Sequence, residues 1–199
     1  MKIIGITGGV GSGKTEVLAY IGKQYNCEVI LADEVAHKVK EPGQRCYQEL
    51  VKLLGEGILA ADGQIDREAM AKVIFCDERV LKQVNGLIHP AVKEYILDAI
   101  KKAKEEEKLD FLFIEAALLI EDGYESIVDE LWYIYSGETV RRSRLKASRN
   151  YSDEKIAGIL AKQLSEAEYR KHCRVVIDNS GDLQDTYRQI DKKLEEYLW

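Results

Sequence analysis

The chain has 199 residues, 46% of them apolar, and its 35 Asp and Glu outweigh 29 Lys and Arg to give a formal charge of −6. That length allows one ordinary domain with a real core, and that charge argues against nucleic acid, whose recognition rests on a clustered basic surface. Cys27, Cys46, Cys76 and Cys173 are scattered without a C-x-x-C pair, no apolar run approaches the roughly 18 residues of a membrane span, and Met1-Lys2 leads into a strand without a signal-peptide pattern; a cytoplasmic protein with reduced thiols is expected.

Ile3-Ile4-Gly5-Ile6-Thr7 reads as a buried strand, and the residues after it, Gly8 to Thr15, run Gly-Gly-Val-Gly-Ser-Gly-Lys-Thr. This is a full match to G-x-x-x-x-G-K-[ST], in the strand–loop–helix setting that a phosphate-binding loop requires. Its glycines let successive N–H groups converge on a phosphate, Lys14 adds a point charge for the β and γ oxygens, and Thr15 offers a hydroxyl to Mg²⁺. A helix from about Lys14 to Gln24 directs its positive end at the same anion. The expected nucleotide contacts are Gly9, Val10, Gly11, Ser12, Gly13, Lys14, Thr15 and Glu16, with Thr15 as the metal ligand.

Glu28 to Ala32 is a second strand, ending at Asp33. Phosphoryl transfer to an alcohol needs an acceptor for the hydroxyl proton, and Asp33 is the candidate; the same side chain suits the N-cap of a helix over Glu34 to His37. Glu41-Pro42-Gly43 breaks the chain, and Tyr47, Leu50, Val51, Leu54, Met70, Val73, Ile74, Val84, Leu87 and Ile88 then give helical periodicity as far as about Lys108. Asp62-Gly63 marks a turn in this insertion, and Pro90 suits the first turn of a helix running through Tyr95, Ile96 and Ile100. Lys101 to Lys108 is that helix's solvated end.

Phe111 to Ile114 is a third strand ending at Glu115, Leu131 to Tyr135 a fourth and Arg174 to Ile177 a fifth. Leu183 to Trp199, with Tyr187, Ile190, Leu194, Tyr197 and Leu198 at helical spacing, is a covering helix. Alternating helices and nearly continuous apolar strands predict a parallel sheet covered on both faces, with ligands at the carboxyl ends, where Asp33, Glu115 and the Gly8 to Thr15 loop all fall. Between the fourth and fifth strands lie Arg141, Arg142, Arg144, Lys146 and Arg149 in an otherwise acidic chain. Such a run is usually a solvated face, yet an arginine from a mobile segment can neutralise charge on a transferring phosphoryl group. Arg144 or Arg149 is expected to do so, with Arg141 and Arg142 at the surface. The loop at Asn179 and Gly181, after the last strand, is the expected neighbour of the adenine. Asp178 to Gly181 matches D-x-x-G but comes too late for a switch GTPase, and no N-K-x-D is present. His37, His89 and His172 read by themselves as structural or surface residues.

Together these residues resemble the dephospho-coenzyme A kinase family over nearly the whole chain. The resemblance rests on Ile6 to Lys14 with Thr15 where the family usually has Ser, Ala32-Asp33 followed by His37, Glu41-Pro42-Gly43, and Ile65-Asp66-Arg67 leading to Phe75. It continues through Asn85-Gly86-Leu87-Ile88-His89-Pro90, Leu118-Leu119 with Glu121, Arg144-Leu145, Arg149-Asn150, Gln163 and Val176 to Gly181. It implies a single α/β domain with the three-layer P-loop NTPase fold: a five-stranded parallel sheet, a helical substrate-binding insertion and a helical lid. The nucleotide-binding core would be about 1–40, 108–137 and 173–199, the insertion about 41–107, and the lid about 138–172, with a cationic helix pair around 138–165. The implied reaction is ATP-dependent, Mg²⁺-assisted phosphorylation of the ribose 3′-hydroxyl of dephospho-coenzyme A. Asp33, Arg67, Asn85, His89 and Leu118 would contact the acceptor, and Asp33, Lys14, Arg144 and Arg149 would act in catalysis. The family commonly has Asp and Pro where this chain has Glu115 and Ala117. The loop alone leaves open another small kinase of nucleosides or nucleoside monophosphates, or a nucleotide-dependent binding switch. None of these readings involves nucleic acid or a membrane.

Overall fold

Strand β1 (Lys2–Thr7) is the centre of the molecule's sheet, and in the computed structural model, which describes every residue except Ala117 and Trp199, it is flanked by β3 (Phe111–Glu115) and β4 (Glu130–Tyr135). With β2 (Cys27–Leu31) and β5 (Val175–Asp178) at the edges, the order of the parallel sheet is β2-β3-β1-β4-β5. Ile6 pairs with Glu115 on one side and Trp132 on the other, which lines up the carboxyl ends of the three inner strands. The chain leaves β1 toward one edge and β4 toward the other, so a crevice opens beside the loop after β1. Ile3, Ile4, Ile6, Phe111, Leu112, Phe113, Ile114, Trp132 and Ile134 are all buried, with neighbours in sequence inside on both faces, as layers of helix above and below a sheet require.

The residues form two compact units, Met1–Val29 with Glu106–Trp199, and Ile30–Glu105. The first holds α1 (Lys14–Gln24), α6 (Glu138–Arg149), α7 (Asp153–Ala161), α8 (Glu166–His172) and α9 (Leu183–Glu195). α1 and α9 are joined by a stacked pair, Tyr20 and Tyr187, with centroids 3.8 Å apart, and by Asp191, which accepts from Tyr25 at 2.7 Å as well as from Tyr20. The helix pair expected around 138–165 is α6 and α7, and α8 follows it. Asn150 ends α6 with φ 50°, Ser152 caps α7 by accepting from Lys155 N, and Ser165 caps α8 by accepting from Glu168 N.

The second unit contains α2 (Ala32–Lys38), α3 (Tyr47–Leu54), α4 (Arg67–Cys76) and α5 (Glu78–Glu106). The Asp62-Gly63 turn closes an antiparallel bridge between Leu59 and Ile65, and Asp66 then caps α4 through Glu68 N and Ala69 N. Two local expectations change here. α2 starts at Ala32, straight out of β2, so Asp33 lies in its first turn and Leu31 takes the cap position. Pro90 does not begin a helix; α5 runs through it without a break. The proline removes only the bond to the Gly86 carbonyl, and the buried stripe of Val84, Ala91, Val92, Ile96 and Ile100 outweighs that loss. No helix of the described residues is long and apolar enough to cross a membrane.

Candidate active site

The loop between β1 and α1 is shaped by its glycines and held by side chains from three other elements. Gly13 stands at the N-cap of α1 with φ 89° and ψ 25°, a left-handed backbone that costs other residues about 1–2 kcal/mol. A Cβ on it would also lie 2.3 Å from Asn179 Nδ2. Gly13→Ala is therefore expected to lower stability by at least about 1–2 kcal/mol; denaturant unfolding checks this, and an unchanged midpoint with an unchanged slope would contradict the account. Ser12 N donates to Gly9 O at 3.1 Å, closing the turn. The first turn of α1 presents N–H groups with no intrahelical acceptor, at the positive end of the helix dipole.

Lys14 Nζ donates to Gly8 O at 2.8 Å and sits 3.5 Å from Glu115 Oε1. Both side chains are about five-sixths buried, at 16% and 17% exposure, so the cation and the carboxylate meet with little water between them. Glu115, where the family commonly has Asp, thus reaches the loop lysine from the end of β3. Ala117, the other noted departure, lies outside the described residues. Ser12 Oγ is buried and has no hydrogen-bond partner among the described residues. A buried hydroxyl of this kind calls for a missing partner, and an anion in the loop supplies an acceptor.

α6 packs one side on this loop. Leu145 is buried, and Arg141, at four residues' remove, donates from Nε to Val10 O at 3.0 Å and also hydrogen-bonds Gln163. Its guanidinium covers Gly9 so closely that a Cβ there would come within 2.3 Å of Nη2. Arg144 donates from Nη1 to Ser12 O at 3.3 Å and Ser136 Oγ at 3.0 Å, and from Nη2 to Asn179 O at 2.8 Å. Arg141 is half-buried against the loop, a correction to its expected place at the surface, and Arg144 grips carbonyls of the same loop. The reason is helical spacing: residues three and four apart share a face, and the face carrying Leu145 turns inward. Arg142 follows expectation, pairing with Glu138 at 2.7 Å near the surface. Arg149 is exposed on the last turn, 5.9 Å from the Tyr151 ring centroid.

Asn179 is buried at 1% exposure, and its side-chain amide is committed to Ser12 O at 2.8 Å and Thr186 Oγ1 at 3.0 Å. The side chain of this residue, in the loop expected to neighbour the adenine, is turned to the phosphate loop. Gly181 is exposed, with open space around it. Glu16, also exposed, accepts from Tyr187 OH at 2.8 Å. Leu118 is exposed after β3. The structure thus brings Gly9, Val10, Gly11, Ser12, Gly13, Lys14, Thr15, Arg144 and Asn179 together within one unit.

The remaining expected residues belong to the other unit, which has a cavity of about 340 Å³. Arg67 and Asn85 line it with His37, Lys40, Met70 and Ile74 among others. His89 is outside the lining, one helical turn beyond Asn85. Burial lowers the pKa of Lys40, and nearby Arg67 lowers it further; burial likewise lowers His37, with Lys40 and Arg67 adding to the effect. Cations that depress one another in a partly apolar cavity favour an anionic ligand. Sequence reasoning missed His37 as a lining residue, although it lies one helical turn after Asp33. It also missed Ser136 and Thr186, small polar residues in no motif.

The hydroxyl of Thr15, in the first turn of α1, and the carboxylate of Glu115, at the end of β3, suit Mg²⁺, which takes one or two protein oxygens together with phosphates and keeps several waters. When bound it would neutralise charge on phosphate oxygens.

A family model described as dephospho-CoA kinase matches residues 2–185. A dephospho-CoA kinase of Carboxydothermus hydrogenoformans is 36% identical over 200 residues, covering 100% of this chain and 96% of its own. A solved structure from Thermus thermophilus matches with a TM-score of 0.79 at 29% identity, over 98% of this chain and 97% of its own. The dephospho-CoA kinase from Campylobacter jejuni shares the fold, with a TM-score of 0.74 at 22% identity over 98% and 97% of the two chains. A phosphate loop held in this way, in a chain matched almost from end to end, has one consistent assignment: the chain belongs to the dephospho-CoA kinase family.

Proposed function

We propose that this protein transfers the γ-phosphoryl group of ATP to the ribose 3′-hydroxyl of dephospho-coenzyme A, the last step of coenzyme A synthesis. The observation that carries the proposal is the assembled phosphate loop, its Val10 and Ser12 carbonyls held by Arg141, Arg144 and Asn179, within a chain matched to the family over residues 2–185.

In the reaction a bond forms between the 3′-oxygen and the γ-phosphorus, and the bond to the β–γ bridging oxygen breaks with its electron pair leaving on ADP. Asp33 takes the hydroxyl proton. Lys14 and the loop N–H groups stabilise the equatorial oxygens of the transferring group, as electrostatic catalysis of phosphoryl transfer requires. Thr15 and Glu115 would hold Mg²⁺, which when bound would offset charge on the phosphates. We assign Arg149 to the transferring group when the lid, residues 138–172, closes and excludes water, and Arg144 to the loop it already grips.

The acceptor is proposed to occupy the cationic cavity of the second unit. Arg67 and Lys40 suit the charge of its phosphates, His37 can hydrogen-bond them as a neutral imidazole, and Met70 and Ile74 suit its apolar stem. Asn85, His89 and Leu118 are proposed as further acceptor contacts, and Gly181 as a neighbour of the adenine. The proposed place of action is the cytoplasm, in keeping with four free cysteines.

The test is ADP release from ATP and Mg²⁺ with dephospho-coenzyme A, beside a panel of nucleosides and nucleoside monophosphates. Release only with dephospho-coenzyme A, with coenzyme A as product, is the expected result. Release with a panel member instead would overturn the acceptor, and release without any acceptor would overturn the kinase reading.

A further inference from the structure

We infer that Thr186, on α9, is a positioning residue for the phosphate loop and acts through Asn179; the inference rests on the ATP-binding reading above. The hydroxyl of Thr186 is fully buried, and its shortest contact is to Asn179 Oδ1 at 3.0 Å, with the carbonyls of Asp178 and Asp182 at 3.3 and 3.4 Å. The other end of the same amide, Nδ2, donates to Ser12 O at 2.8 Å. Ser136 Oγ, also buried, lies 3.1 Å from Ser12 O and 2.8 Å from Asn179 O. Asn179 N in turn donates to Tyr135 O at 2.8 Å.

The direction of this relay follows from donor and acceptor types. A carbonyl oxygen only accepts, so Ser12 O requires the amide nitrogen of Asn179 to face it, which leaves Oδ1 facing α9. A buried amide oxygen needs a donor, and the Thr186 hydroxyl is the donor it meets. Ser12 O sets which way round the amide lies, and the hydroxyl holds it there by satisfying the oxygen left facing α9. With the amide reversed, two oxygens would oppose each other at Ser12.

The consequence for the loop comes from the planarity of the peptide bond. In a trans peptide the carbonyl and the following N–H point in opposite directions. Pulling the Ser12 carbonyl toward Asn179, Ser136 and Arg144 turns the Gly13 N–H the other way, away from the β5–α9 side of the loop. Thr186 thus aims a phosphate-binding N–H that it does not touch, across 167 residues of sequence between Ser12 and Asn179. Simple packing does not need this chain of buried polar groups, because apolar side chains would fill the same space without the cost of satisfying them.

The experiment is calorimetric titration of the full chain with ADP and Mg²⁺, and separately with AMP, which lacks the β-phosphate. Thr186→Val keeps the shape and removes the donor. It is expected to weaken ADP by about tenfold, the scale of one misdirected hydrogen bond, while leaving AMP unchanged within about twofold. Thr186→Ser, which restores the hydroxyl, should restore ADP binding. Ser136→Ala, away from α9, should give the same selective loss and keeps the test open should the valine variant fold poorly. Equal losses for ADP and AMP would make the role merely structural and overturn the inference, as would unchanged ADP affinity in Thr186→Val. Failure of the unaltered chain to bind ADP would overturn the nucleotide reading itself, which separates the two failures.

Discussion

Asp33→Asn is expected to reduce turnover by about two to four orders of magnitude, the usual worth of a positioned proton acceptor. The substitution is nearly isosteric and removes only the ability to take a proton. Asp33 is exposed in the first turn of α2, where a carboxylate also interacts with the helix dipole. That secondary role is worth about 0.3–1 kcal/mol of stability and nothing in the chemical step. The two roles therefore separate cleanly in measurement. A base shows as a fall in kcat with the KM values for ATP and dephospho-coenzyme A within a few fold, and with little change in unfolding. A kcat within about threefold of the unaltered chain, less than the roughly hundredfold floor for a general base, would remove Asp33 from the chemistry.

Lys14→Met is the second large effect. Its ammonium lies between Gly8 O and the Glu115 carboxylate, so losing it does two things. It takes away a preorganised charge at the transferring phosphoryl group, worth about two to three orders of magnitude in kcat by analogy with other lost transition-state donors. It also leaves Glu115 without its cation partner close to where phosphate must bind, which raises the KM for ATP as well. The double variant Lys14→Met, Glu115→Gln distinguishes these contributions. It should recover part of the ATP affinity, limited by the loss of the carboxylate assigned to Mg²⁺, and little of the turnover. Recovery of both would mean that Lys14 serves only to neutralise Glu115.

How much could be read in advance depends on whether a residue's role is local. α1 runs from Lys14 to Gln24 as expected, because the loop motif fixes where the helix begins and the amphipathic spacing fixes its length. The strands were legible because both faces of the sheet are buried, leaving Phe111 to Ile114 and Leu131 to Ile134 almost without polar interruption. Pro90 misled because a local preference was set against a stripe of apolar residues extending beyond it on both sides. The cationic run was half legible: sequence shows that α6 is charged, but only packing shows that the Leu145 face, with Arg141 and Arg144, turns inward. Thr186 and Ser136 carried no signal at all. A buried hydroxyl looks like any other until the partner that needs its hydrogen is placed beside it, and here those partners come from distant stretches of chain.

The groups that hold the Ser12 carbonyl of the phosphate loop, Asn179 above all, are made 167 residues after it. At ribosomal rates of about 5–20 residues per second, that interval is on the order of ten seconds or more. During synthesis the loop's motif is complete while its geometry is not, and a nascent chain gains its full grip on nucleotide only after β5 and α9 have emerged. The geometry of the loop thus depends on β5 and α9 being in place.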